Sequence, residues 1–252
     1  MGSRFSPLAL RLAATLSATV AVTVAGLAWG LSSTPAFQAQ AEPHPACAAA
    51  TVLEVLPPPP PGQAAAGAVA AITAGDDYRH RLTSTAYGWP RRDHWCVWVE
   101  PVSAEGPAAR WDQAWMTAVE AALASWAQLT PIQRVSQPEQ AQVRILRRRP
   151  PLRNGRASHG RAELQLVLVQ RQGQRLLEPQ VVVQISPGQR PSAMQATALH
   201  ELGHGFGLWG HSDVPGDAMA AMPGATPVLE LSPRDRATFF WLQQQPGLEL
   251  AP

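Results

Sequence analysis

Residues 200 to 213 read HELGHGFGLWGHSD, three histidines and a glutamate set among four glycines. On a helix, His200 and His204 stand one turn apart on the same face, so both imidazoles can reach one metal ion. Glu201 lies beside the first histidine, where it can contact a metal-bound water without being a ligand. Zinc lowers the pKa of such a water towards neutrality, and a neighbouring carboxylate takes its proton as the oxygen attacks a carbonyl. This residue pattern is therefore suited to metal-assisted peptide hydrolysis. The competing reading makes the histidines ordinary polar groups of a helix. A chance His-Glu-x-x-His is expected on the order of once in a hundred such chains, and need not fall on a well-capped helix with a further histidine after it. Two residues compete to complete the metal site, His211 and, two positions later, Asp213.

The elements that would position these groups can be read from periodicity. WCVWVEP (residues 95–101), AQVRILR (141–147), AELQLVLVQ (162–170) and QVVVQIS (180–186) are rich in β-branched or alternating apolar residues and predict strands. In the long segment before Pro131, Trp111, Trp115, Ala118, Ala122 and Trp126 recur at three- and four-residue steps, which predicts an amphipathic helix with these residues in the core. PSAMQATALHELGHGFG predicts a second helix, with Ser192 and Gln195 as its capping box and Gly207 as its stop. LSPRDRATFFWL predicts a third, with Ser232 as N-cap, Pro233 at the first position and Asp235 at the third. The order of strand, long helix, several strands, site-bearing helix, irregular segment and C-terminal helix gives an α+β domain.

HELGHGFGLWGHS resembles the metzincin signature of zinc peptidases, and within it the matrixin pattern His-Glu-x-x-His-x-x-Gly-x-x-His-Ser. Met219, eight residues after His211, suits the methionine turn of that family, with Met222 as its rival. SWAQLTPIQRV, the following AQVRIL and the last predicted helix also resemble matrixin elements, so the similarity runs roughly from Trp95 to Gly247. It implies a mixed, twisted sheet backed by the long helix. It also implies that His200, His204 and His211 bind Zn2+, that Glu201 is the general base, and that Met219 forms a hydrophobic floor without ligating. Three departures stand out. One extra residue separates Gly207 from His211. NGRASHGRAELQL has no aspartate and one histidine, His159, so neither the calcium nor the structural zinc of animal matrixins is expected there. No tyrosine follows Met219.

The rest of the chain bounds where such a domain would work. Of 252 residues, 46% are hydrophobic and 15% charged, enough apolar matter for a buried core. All twenty basic residues are arginine, and the net charge of +2 gives no reason to expect a nucleic-acid partner. The arginine cluster between Arg144 and Arg156 reads as a solvated strand end and loop, with contact to an anionic surface or an acidic substrate segment as the alternative. Between Arg11 and Glu42 there is no charge. Residues 1–41 therefore predict a signal peptide, with AQA (39–41) as cleavage site, or a retained N-terminal membrane anchor. Residues 42–78 predict an Ala/Pro-rich linker and 79–252 the catalytic domain. Export leaves Cys47 and Cys96 either as lone thiols or as a disulfide tying the N-terminal segment to the first predicted strand.

The expected function is that of an exported zinc-dependent endopeptidase acting on an extended peptide or protein. It would be secreted, periplasmic or anchored to the outer face of the cytoplasmic membrane. By resemblance, the substrate lies along a strand edge within AELQLVLVQ, and Pro223 to Leu229 shape a pocket wall. The alternative is a non-catalytic, zinc-stabilised binding module on the same fold; Glu201 counts against it, because a structural metal needs no glutamate there. A third arrangement would take Glu230 from a second helix as ligand, but the intervening chain is too broken by proline and glycine to form that helix.

Overall fold

The computed structural model describes residues 44–57, 76–103, 105–152, 155 and 157–250. The expected export segment, its cleavage site and most of the expected linker lie outside the described residues. The short apolar runs become strands β2 (Trp95–Val99), β4 (Val143–Leu146), β5 (Gly160–Arg171) and β6 (Gln174–Ile185). Two more strands join them, β1 (Ala50–Val55) and β3 (Ile132–Arg134), giving a six-stranded mixed sheet of order β1-β5-β6-β4-β2-β3. The strands β2, β3, β4 and β6 run parallel to one another, while β5 is antiparallel to both of its neighbours, β6 and β1. The hairpin between β5 and β6 turns at Gln172 and Gly173, both at positive φ (48° and 80°), which matches the natural twist of two paired strands.

Alternation decides the core. Trp95, Val97 and Val99 of β2, Val143 and Ile145 of β4, and Val181, Val183 and Ile185 of β6 are all buried in one cluster. They share that cluster with α1 (Ala109–Trp126) and α2 (Pro191–Gly205). Every second residue of a strand faces the same way, so one sheet face supplies all eight side chains. Trp115, Ala118, Ala122 and Trp126 of α1 are buried as their spacing predicts. Trp111 departs from that reading: it is 59% exposed, beside Arg147 and the 187–191 loop. At the same end of α1, Asp112 is buried and pairs with Arg147 at 2.5 Å, so one arginine of the basic cluster is structural, while Arg148 and Arg149 are exposed.

The third helix, α3 (Pro233–Gln243), has the expected start: Ser232 Oγ accepts from the Asp235 amide, and Asp235 reaches back to the Ser232 amide. The Ser192–Gln195 capping box is not formed. Helix α2 begins two residues earlier, with Arg190 as N-cap and Pro191, whose fixed φ suits a first helical position, as its first residue. Gln195 turns its side chain to the Leu229 carbonyl instead (3.4 Å).

The boundary of the expected linker also changes, because its residues 50–55 are β1. Cys47 and Cys96 form a disulfide, and polar groups hold the same segment. Arg171, itself buried, pairs with buried Glu178 at 2.8 Å and donates to the Ala48 carbonyl. Gln142 donates to the Ala46 carbonyl at 3.2 Å. The side chains of β1 bury little: Val52, Leu53 and Val55 are 47%, 44% and 51% exposed. Covalent and polar anchors, rather than an apolar stripe, keep this strand on the sheet, and a sequence pattern of apolar spacing could not reveal it.

Candidate metal centre

Helix α2 carries His200, Glu201 and His204 on a scaffold fixed from both sides. Trp126 of α1 donates its indole N–H to the Leu199 carbonyl at 2.9 Å. Below the helix lies Met219, fully buried. A Cβ on Gly203 would overlap the Met219 Sδ and stand 3.0 Å from Trp126 Cζ2, so only glycine lets α2 lie this close to the methionine. Met222, the rival, is 79% exposed and has no place under the helix.

The ring nitrogens of His200, His204 and His211 lie within 4.8 Å of one another, one from each residue. His200 Nδ1 meets the Ala218 carbonyl at 2.8 Å, and His204 Nδ1 meets the Leu208 carbonyl at 2.7 Å. A carbonyl can only accept, so each Nδ1 carries the proton and each Nε2 is left with a free lone pair. The Nε2 atoms of His204 and His211 face each other at 3.3 Å. Two nitrogens held roughly 2.05 Å from one tetrahedral zinc stand about 3.3 Å apart, so the spacing suits a shared cation. Burial disfavours the imidazolium and lowers the pKa of all three histidines, that of His204 to about 3. Neutral imidazole is the form that binds metal.

The extra residue before His211 is absorbed where the helix has already stopped. Gly207 takes φ +104°, and a Cβ there would stand 2.8 Å from the Pro90 carbonyl oxygen. The chain then makes two tight turns, Trp209 N–H to Gly207 carbonyl at 3.0 Å and Gly210 N–H to Leu208 carbonyl at 3.2 Å. Leu208 drops into the core, and Trp209 stacks on the His204 ring, with centroids 5.3 Å apart. Gly210 is needed for closeness rather than for positive φ, because a Cβ there would overlap the Arg81 carbonyl. Asp213, the competing ligand, points elsewhere, into ion pairs with Arg81 (3.2 Å) and Arg234 (3.1 Å). Glu230 is exposed and outside any helix.

Glu201 is buried, and desolvation pushes its carboxyl up to about 7, opposed by the Ala162 amide and the charge of Arg161. It shares an open cleft with His200, His204, His211 and the start of β5. Gly160 makes that approach possible: a Cβ there would sit 2.6 Å from Glu201 Cγ. His159 is exposed, as expected for a surface residue.

Sequence reasoning missed the group behind the site. Asp235, read only as a cap, is fully buried and accepts from Tyr78 Oη (2.7 Å), the Ser232 amide (2.9 Å), the Ala218 amide (2.8 Å) and the Met219 amide (3.4 Å). It fixes the peptide whose carbonyl orients His200. Asp217 adds a second clasp, accepting from Ser212, Ser232 and Arg234. The Ser212 amide closes the turn on the Met219 carbonyl at 2.7 Å. Asp235→Ala leaves several buried donors without a partner and is expected to cost about 3–5 kcal/mol of stability, read from the urea midpoint. The milder Asp235→Asn should lower zinc affinity about 10- to 100-fold through the loosened His200; an unchanged zinc titration would separate Asp235 from the metal site.

Compared with protein-family models the chain matches none, and a search of curated proteins finds no significant match, so the chemistry of this centre rests on its own geometry.

Proposed function

We propose that the protein is a zinc-dependent endopeptidase of the matrixin-like metzincin type. The observation that carries this reading is the convergence of three neutral imidazoles, two with Nδ1 committed to carbonyls, beside a buried glutamate that is not part of the cluster. His200, His204 and His211 would hold the ion, and Met219 would form the floor of the site. Zinc held there supplies Lewis acidity, acidifying a water and polarising the carbonyl of the bond to be cut. Glu201 takes the proton from that water as the new C–O bond forms, and returns it to the departing amine as the C–N bond breaks. Its burial next to Gly160 and Ala162 places this carboxylate against the edge of β5, where an extended peptide can pair with the strand. Arg161, whose charge favours the ionised carboxylate, helps keep the base deprotonated. Residues 223–229, after the methionine turn, would wall the pocket beyond.

A zinc-stabilised binding module would use the same histidines. Glu201 favours catalysis, because a purely structural ion gains nothing from a buried carboxyl beside it that is not a ligand. The domain is proposed to act outside the cytoplasm, a reading carried by the uncharged N-terminal sequence and in keeping with the Cys47–Cys96 disulfide. Full-length protein recovered solely from the cytoplasmic fraction would count against it. Among the described residues no helix is long and apolar enough to cross a membrane.

Glu201→Ala is expected to retain zinc and to lose peptide hydrolysis by at least about a hundredfold; turnover of casein within tenfold of wild type would remove Glu201 from the mechanism. His211→Ala should weaken zinc binding and activity far more than Asp213→Ala does. The reverse result in metal titrations would transfer the third ligand to Asp213.

A further inference from the structure

The edge of β5 is shared between two users, and the division has a definite place. Strand β1 pairs with β5 only from Arg171 to Val167. Beyond that pairing the last contact is the Leu56 amide on the Leu166 carbonyl at 2.9 Å. In an antiparallel strand the N–H and C=O of one residue point to the same side, and alternate residues repeat that direction. The backbone groups of Leu164 and Ala162 therefore face the same side as Leu166, and Glu201 lies against the start of β5 at Gly160. The ladder does not continue past Leu56, because Pro57 has no N–H to donate.

Direction matters as well. Strand β1 runs from the Arg171 end of β5 towards Gly160, that is, towards Glu201. A peptide that continues the same antiparallel ladder has its carboxyl side at the metal centre and its amino side facing the end of β1. Resting on the peptidase reading above, we propose that β1 is a fixed stop on the docking edge, which restricts recognition on the amino side of the cut bond to roughly four residues, one opposite each β5 residue from Leu164 to Arg161. Residues further towards the amino end meet Leu56 and Pro57 and must leave the sheet, adding nothing to binding. The stop does not yield readily, since the disulfide and the buried Arg171–Glu178 pair hold the chain just ahead of β1. This makes the enzyme a selector of short amino-side segments, such as exposed turns or near-terminal bonds, rather than of long extended stretches.

The test uses the zinc-loaded protein and N-acetyl peptides of one to eight alternating alanine and glutamine residues, each ending in a hydroxamate that anchors it at the metal. Affinity by titration should rise about three- to tenfold per added pair of residues up to four, as paired backbone groups accumulate. It should then stay within twofold through eight. Replacing residues 50–56 by glycine and serine at equal length, with Cys47 kept, should carry the rise on to six or eight residues. A wild-type affinity that keeps rising to eight residues overturns the proposal, whether or not the replaced protein folds. So does a break at four residues that survives the replacement. Acetohydroxamate binding with no length dependence overturns the edge docking and leaves the metal centre standing, whereas loss of acetohydroxamate binding overturns the reading of the site itself.

Discussion

A single buried carboxylate holds the far side of the histidine cluster in register with the near side. Asp235 has no access to water and accepts from Tyr78, Ser232, Ala218 and Met219. Buried and this densely bonded, it cannot be moved without leaving donors unsatisfied, so three separated segments are locked together. One is the start of α3, another the chain before the Arg79–Arg81 turn, and the third the methionine turn. The last of these presents the Ala218 carbonyl to His200. The orientation of the His200 imidazole is thus set by a residue on a different helix.

The same logic of close approach governs α2. Three glycines let backbone come nearer than any side chain would permit: Gly203 over Met219, Gly160 beside Glu201, and Gly210 against Arg81. Each gives up the burial a side chain would bring. In return, the histidines and the glutamate are carried on elements whose positions are fixed by packing rather than by loop conformation. The one histidine of the cluster carried on a loop, His211, is steadied by its neighbours instead, with Leu208 in the core and Trp209 on the His204 ring.

What was legible in the sequence follows from the range of each interaction. Helix pitch is local, so His200, Glu201 and His204 could be placed together from spacing alone. The strands β2, β4, β5 and β6 announced themselves by apolar alternation, and α3 by a cap whose parts lie three residues apart. Strand β1 gave no such signal. Its outward residues are exposed, its composition is that of a linker, and its anchors, Cys96, Gln142, Arg171 and Glu178, are scattered far along the chain. Asp235 was visible as a cap, while its bonds to Ala218 and Met219 needed the fold. Trp111 kept helical step with buried partners, yet periodicity cannot tell where a helix overruns the sheet beneath it. The Ser192–Gln195 box failed because Pro191 supplied an equally good start two residues sooner.

The route of the chain through the disulfide bears on the order in which the molecule is completed. Cys47 and Cys96 both precede every residue of β5, the strand on which β1 will lie. As the chain emerges, the tether can close while the docking edge does not yet exist. The closed loop then keeps β1 near the growing sheet, so the late search for β5 is made over a short distance. Strand β1 is made before the strand it lies on and is among the last segments to find its partner. Until it does, the whole length of β5 is an open edge.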